Sequence, residues 1–118
     1  MTLHEKQVLF TKNVASLIDY VSSNNHSLTF GEAYRPPEMA AIYAKEGKGI
    51  VHSLHTERLA VDMNLFDSDG NLLSQWSDYE RYGKYWESLH TQNRWGGYFV
   101  SKYGGKLVDS DHFEMNDK

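Results

Sequence analysis

Two segments of this 118-residue sequence contain residue types that bind metal ions. Ser53 to Asp62 reads Ser-Leu-His-Thr-Glu-Arg-Leu-Ala-Val-Asp, and Asp109 to Glu114 reads Asp-Ser-Asp-His-Phe-Glu. Together they offer the imidazoles of His55 and His112 and several carboxylates, which are the ligand types of a catalytic zinc ion. The sequence has no cysteine, so any metal ion must be held by nitrogen and oxygen atoms.

The spacing of these residues leaves two interpretations open. His55 and Asp62 are seven positions apart, an odd number, so they would point to opposite faces of one continuous strand. A turn around Thr56 to Arg58 is therefore required if the two side chains are to meet. The alternative is that Asp62 lies on the solvated face of an ordinary strand and that His112 is a hydrogen-bonded core histidine. His52 is close enough to His55 to be a rival ligand.

The elements that would position these segments can be predicted from hydrophobic periodicity and turn residues. The first half of the sequence predicts a helix capped by Thr2 and running to about Ser22, a strand at 27–34, a short helix at 38–45 and irregular chain at 50–56. The second half predicts a strand at 59–66, a hairpin turn at 67–71 with a returning strand, a helix at 78–90, a loop at 93–97 and a strand at 112–115. This order predicts an α+β fold with about three helices on a small, mostly antiparallel sheet. The length predicts one domain spanning residues 1–118.

Composition and charge argue against several classes of protein. The net charge is -4 and the basic residues are scattered, whereas a nucleic-acid binder normally has a basic face. No run of eighteen apolar residues is present, so membrane insertion is not expected. Glu5 and Lys6 interrupt the place where an export signal would have its apolar core, so no signal peptide is expected.

The two segments together resemble the signature of the VanX/VanY-like zinc peptidases. The residues that carry the resemblance are Ser53-x-His55…Ala60-x-Asp62 and Asp109-x-x-His112-Phe113. This family contains D-Ala-D-Ala carboxypeptidases and dipeptidases, and phage endolysins that act as L-alanyl-D-glutamate endopeptidases. The resemblance covers roughly residues 30–114 and implies a Hedgehog/D-Ala-D-Ala-peptidase-like fold.

The resemblance also implies a role for individual residues. It implies that His55, Asp62 and His112 bind Zn²⁺, leaving a coordination position open for water. It implies that Asp109 is the general base and that Arg35, in Tyr34-Arg35-Pro36, stabilises the oxyanion.

This sequence departs from the family pattern at two positions. Arg58 stands where many members have Gly, and Asp109 stands where larger members have Glu. Asp111 could compete with Asp109 for the role of base, but alternation from His112 places it on the opposite strand face.

Ser53 and Trp95 are candidate substrate-binding residues on residue type alone. Ser53 can orient substrate or a ligand, and a turn-capping serine is the alternative. Trp95 can stack on a sugar ring, and core packing is the alternative. The segment 67–71 (Asp-Ser-Asp-Gly-Asn) resembles the start of a calcium loop but is better explained as a hairpin turn.

The function implied by the resemblance is that of a zinc-dependent peptidoglycan peptidase. The leading hypothesis is a phage-type endolysin that hydrolyses the L-Ala-D-Glu bond of stem peptides. The alternatives are a D,D-carboxypeptidase or dipeptidase acting on D-Ala-D-Ala termini, and a non-catalytic, zinc-stabilised wall-binding domain. The expected protein is a monomer with peptidoglycan stem peptides as its partner, held in the host cytoplasm before release to the periplasmic wall.

Overall fold

One strand, β2, lies in the middle of the sheet and carries Asp62. The computed structural model describes residues 1–49 and 53–118. β2 spans Ala60–Phe66, and every second side chain from Val61 to Leu65 is buried. This alternation is what a strand with one covered face requires.

Both edges of β2 have antiparallel partners. β1 (Ser27–Phe30) pairs along one edge. The other edge is shared by β5 (His112–Met115), beside the first half of β2, and β3 (Leu72–Leu73), beside the second half. β4 (Asn93–Trp95) continues the sheet beyond β5, which gives the order β1-β2-β5-β4.

Three α-helices occur within the described residues. α1 (Leu3–Ser23) starts with a capping box, in which Glu5 N donates to Thr2 Oγ1 at 3.1 Å and Thr2 N donates to Glu5 Oε1 at 2.9 Å. α2 spans Pro37–Lys45, and α3 spans Trp76–Leu89. Over residues 1–49 and 53–118, none of the helices has the length and apolar character needed to cross a membrane.

The hydrophobic core lies between α1, α3 and the sheet. Trp86 is fully buried at its centre, with the rings of Phe10 and Phe113 edge-on at centroid distances of 5.4 and 5.9 Å. Its indole nitrogen donates to the carbonyl oxygen of Glu114 at 2.9 Å, so the core helix also fixes β5. The other buried apolar side chains of this core are those of Val14, Leu17, Val21, Leu59, Val61, Met63, Leu65, Tyr79, Tyr82, Trp95 and Met115.

The structure confirms the predicted α+β class, the small antiparallel sheet and the three helices, with two corrections. The predicted loop at 93–97 is wrong, because β4 and a 3₁₀ turn (Gly96–Tyr98) occupy this stretch. The predicted strand at 27–34 ends as a regular strand at Phe30. Beyond it the chain still bonds to β2, since Gly31 N donates to Asp62 O at 2.7 Å and Asp62 N donates to Glu32 O at 2.8 Å.

Candidate metal centre

His55 is carried by a short 3₁₀ turn, Leu54–Glu57, immediately before β2. Ser53 caps this turn, because its Oγ accepts a hydrogen bond from His55 N at 3.2 Å. Arg58 ends the turn in the left-handed region, at φ 57°. The odd separation of His55 and Asp62 predicts a turn between them. This turn is present, and it redirects the chain before the strand begins.

Asp62 and His112 are directly opposite each other in the β2–β5 pairing. Cross-strand partners have their side chains on the same face of a sheet. His112 Nδ1 is 3.1 Å from Asp62 Oδ1, and His55 Nε2 is 3.4 Å from the same oxygen. One ligand atom from each of the three residues lies within 4.8 Å of the other two. The structure thus brings together the three residues predicted to bind a metal ion.

The remaining ring nitrogen of each histidine has a partner of its own. His55 Nδ1 is 3.0 Å from the carbonyl oxygen of Ala33, which can only accept, so Nδ1 carries the hydrogen and the Nε2 lone pair faces Asp62. His112 Nε2 is 2.8 Å from Glu114 Oε1, and Glu114 also accepts hydrogen bonds from Arg94. Outer contacts of this kind orient metal-binding histidines in other proteins.

The electrostatics of the cluster favour a cation at its centre. Burial opposes ionisation of Asp62, but the neighbouring His112 and His55 side chains more than offset it and hold the pKa of Asp62 below its ordinary value. Burial likewise opposes protonation of His112, yet Asp62 and Glu114 together raise the pKa of His112 to about 9. In the absence of a metal ion, the proton held by His112 therefore supplies positive charge beside the Asp62 and Glu114 carboxylates.

A cavity of about 510 Å³ opens onto the three residues. Arg35 and Asp109, the predicted oxyanion-stabilising and base residues, line the same cavity. Ser53 lines it too, although its hydroxyl is already used as a cap. Phe99 adds an apolar side, with its ring 5.3 Å from the ring of His112.

Asp109 and Asp111 both lie beside the cluster. Asp109 Oδ2 is 3.8 Å from His112 Nδ1, and the Asp109 side chain is half-exposed. Asp62, Asp109 and Asp111 each offer one oxygen within 4.8 Å of the others. Alternation predicts that Asp111 faces away from His112; Asp111 indeed lines a neighbouring cavity with Asn64 and Tyr79, yet one of its oxygens still reaches this group of carboxylates. Burial, together with the neighbouring Asp109 carboxylate, raises the pKa of Asp111 to about 7.

Arg35 is held near the centre by a backbone hydrogen bond to His55 and by a side-chain ion pair with Glu32. Arg35 N donates to His55 O at 3.1 Å, so the two segments run side by side. Its guanidinium forms an ion pair with Glu32, whose Oε1 is also 3.8 Å from His55 Nε2. The ring of Tyr43 lies 5.1 Å from the guanidinium carbon. Arg35 is thus held close to the centre by a carboxylate that sequence reasoning did not single out.

Trp95 does not fit its predicted role in substrate binding. Its side chain is fully buried, and its indole nitrogen donates to Ser110 O at 2.7 Å. Core packing, the alternative considered for this residue, is what the structure shows, and the hydrogen bond fixes the segment that leads into His112. The possible rival ligand His52 lies outside the described residues.

The set of donor atoms fits a zinc ion. Two imidazole nitrogens and one carboxylate oxygen form a common catalytic zinc site with an open position. Their carbonyl and carboxylate partners match the outer hydrogen bonds that such ligands need. Sites of nitrogen and oxygen ligands also accept cobalt, nickel or manganese, so the geometry supports a candidate transition-metal site.

The fold of this chain is similar to that of the Serratia marcescens L-Ala D-Glu endopeptidase ChiX. The two structures align with a TM-score of 0.62 at 19% sequence identity, over 76% of this chain and 67% of that chain. No protein-family model matches the sequence, and no curated protein matches it. At this level of identity the likeness shows a shared fold.

Proposed function

We propose that this protein is a zinc-dependent peptidoglycan peptidase that hydrolyses the L-Ala-D-Glu bond of stem peptides. The observation that carries the proposal is the convergence of His55 Nε2 and His112 Nδ1 on Asp62 at the wall of a cavity that also contains Asp109. The shared fold with an L-Ala D-Glu endopeptidase supports it. The phage-type endolysin role that we propose for this protein rests on the sequence resemblance alone.

His55, Asp62 and His112 would hold the metal ion. When bound, zinc would supply Lewis acidity, which polarises a carbonyl group and makes water easier to deprotonate. The cavity leaves room for a peptide beside the three ligands.

Asp109 would move the proton in the reaction. Its half-exposed carboxylate lies beside the ligands without being held by an ion pair to a lysine or arginine, within the described residues. It would accept a proton from the attacking water and then pass it to the amine that leaves. A carboxylate can serve in both steps because it is regenerated when the second transfer is complete.

Arg35 would stabilise the negative charge that develops on the oxygen of the scissile carbonyl. A donor directed at this charge is typically worth about 3 kcal/mol. The ion pair with Glu32 restricts the guanidinium to the side of the cavity next to His55, so less ordering is needed when substrate arrives.

Digestion of purified peptidoglycan by the zinc-loaded protein tests the proposal. Mass spectrometry of the products should find new amino termini on D-Glu, and metal analysis should find one zinc ion per chain. Release of free D-Ala instead would favour a D,D-carboxypeptidase or dipeptidase. Stable zinc binding and wall binding with no new termini would identify a non-catalytic binding domain and overturn the proposal.

A further inference from the structure

Glu114 is a buried carboxylate next to the candidate metal centre. Only 6% of the residue is exposed, and it lies on the same face of β5 as His112. Its Oε1 is 2.8 Å from His112 Nε2, on the side of the ring opposite to Asp62. A buried carboxylate is costly unless it is paired, so its position beside the ring requires compensation.

Arg94 supplies that compensation. It is the direct cross-strand partner of Glu114 in the β4–β5 pairing. Its Nε donates to Glu114 Oε2 at 2.8 Å, and a second guanidinium nitrogen donates to the same oxygen. A carboxylate paired in this way is an acceptor only, so the hydrogen in the contact with His112 must be on Nε2. The opposite nitrogen, Nδ1, then faces Asp62.

A second group of contacts holds Arg94 itself. The ring of Tyr103 lies 5.4 Å from the Arg94 guanidinium carbon, and Tyr103 Oη donates to Glu87 Oε2 at 2.8 Å. Glu87 also accepts from Trp95 N at 3.0 Å and so joins α3 to β4. A continuous series of contacts therefore runs from α3 to the imidazole of His112.

We infer that Arg94 and Glu114 are positioning residues that fix the ring of His112 and thereby raise the affinity of the centre for zinc. The inference rests on the metal site of the proposed function. It assigns a distinct support to each histidine, since His55 is oriented by a backbone carbonyl and His112 by this ion pair. Loss of the pair should therefore affect the contribution of His112 and leave the backbone support of His55 in place.

Zinc affinity, measured by competition with a chromophoric chelator, tests the inference in Glu114→Gln and Arg94→Met. Removal of an outer partner of a metal-binding histidine typically weakens binding by about 10–100-fold. Arg94→Lys should be intermediate, because it keeps the charge but loses the paired donors. Glu80→Gln is the matched control, since Glu80 lies on α3 and pairs with Lys84 at 3.6 Å. Wild-type zinc affinity in Glu114→Gln, with the fold intact by circular dichroism, would overturn the inference.

A spectroscopic measurement separates positioning from a purely structural role. In the zinc-loaded wild type, ¹⁵N-labelled histidine should give one resonance from His112 whose Nε2 hydrogen is protected and hydrogen-bonded. That signal should move in Glu114→Gln and stay unchanged in Glu80→Gln, and the absence of any difference would contradict the inference. A zinc-loaded wild type with this signal but no peptidase activity would support the inference and contradict the proposed function. Failure of the wild type to bind zinc would overturn both.

Discussion

The backbone of Asp109 lies directly against Gly96. Asp109 N donates to Gly96 O at 3.0 Å, and a Cβ at position 96 would be only 2.0 Å from the carbonyl oxygen of Asp109. The same Cβ would be 3.0 Å from the Cβ of His112. Residue 96 must therefore lack a side chain for the segment that carries the proposed base to reach the centre.

Gly96→Ala should destabilise the protein by about 1–3 kcal/mol, the usual cost of forcing extra atoms into a packed site. It should also weaken zinc binding, because the segment leading into His112 must shift. Urea unfolding and zinc competition measure the two effects. Gly70→Ala is the matched control, since Gly70 has φ 82° and open space around it. It should cost about 1 kcal/mol of stability from backbone strain, and zinc affinity should not change.

Asp109→Asn and Asp111→Asn form a matched pair that identifies the base. Both changes preserve size and remove one carboxylate from the same group. We expect Asp109→Asn to lower kcat by about 10²–10⁴-fold, the usual contribution of a general base, with zinc still bound. Asp111→Asn should have a smaller effect. If Asp111→Asn instead caused the larger loss of kcat, Asp111 rather than Asp109 would be the general base.

The stability of the metal-free protein should fall as pH rises from neutral. The pKa of His112 is raised from 6.5 to about 9 in the folded state, so the folded protein holds this proton more tightly than the unfolded chain. The resulting stabilisation is fully present below pH 6.5 and is lost as pH rises through about 9. Burial and Asp109 raise the pKa of Asp111 to about 7, so Asp111 acts in the same direction as pH rises through that value.

Urea unfolding in a chelator at pH 6 and pH 9.5 measures this loss, which should be on the order of 2–3 kcal/mol for His112. His112→Gln should reduce the difference in the free energy of unfolding between pH 6 and pH 9.5. His4→Gln, at an exposed histidine of α1, should leave it unchanged. An equal pH dependence in His112→Gln and the wild type would show that another group is responsible.

The left-handed conformation of Arg58 is accompanied by a cation–π contact. Its guanidinium carbon lies 3.9 Å from the centre of the Tyr34 ring, while its φ is 57°. We expect a coupling energy of about 0.5–1 kcal/mol between the two side chains, typical of an exposed cation–π pair. A double-mutant cycle of Arg58→Gly and Tyr34→Leu measures it. Additive effects of the two changes would show that the contact contributes nothing.

Local signals in the sequence were sufficient to predict most of the helices and strands of the fold. The capping box at Thr2 and Glu5 marks the start of α1, and the strict alternation after Leu59 marks β2. In contrast, β4 is only three residues long and gains its pairing from β5, some twenty positions away. No periodicity within Asn93–Trp95 could have indicated that partner.

The candidate site was predictable only in part, for a similar reason. Parity correctly required a turn between His55 and Asp62, but spacing could not show that His112 lies opposite Asp62. The resemblance to known peptidases supplied that expectation. Partners such as Glu32 and Arg94 were missed because their importance depends on contacts across the fold.

Because β5 pairs with β2, the candidate centre stays assembled only while these two strands remain hydrogen-bonded to each other. Three residue pairs define the register of the two strands, and Asp62–His112 is the pair at one end of that register. If β5 separates from β2, His112 and its supporting carboxylate Glu114 leave together, while His55 and Asp62 remain beside each other on the β2 side. Slow hydrogen–deuterium exchange at the amides of β5 would therefore report, residue by residue, how often the centre comes apart.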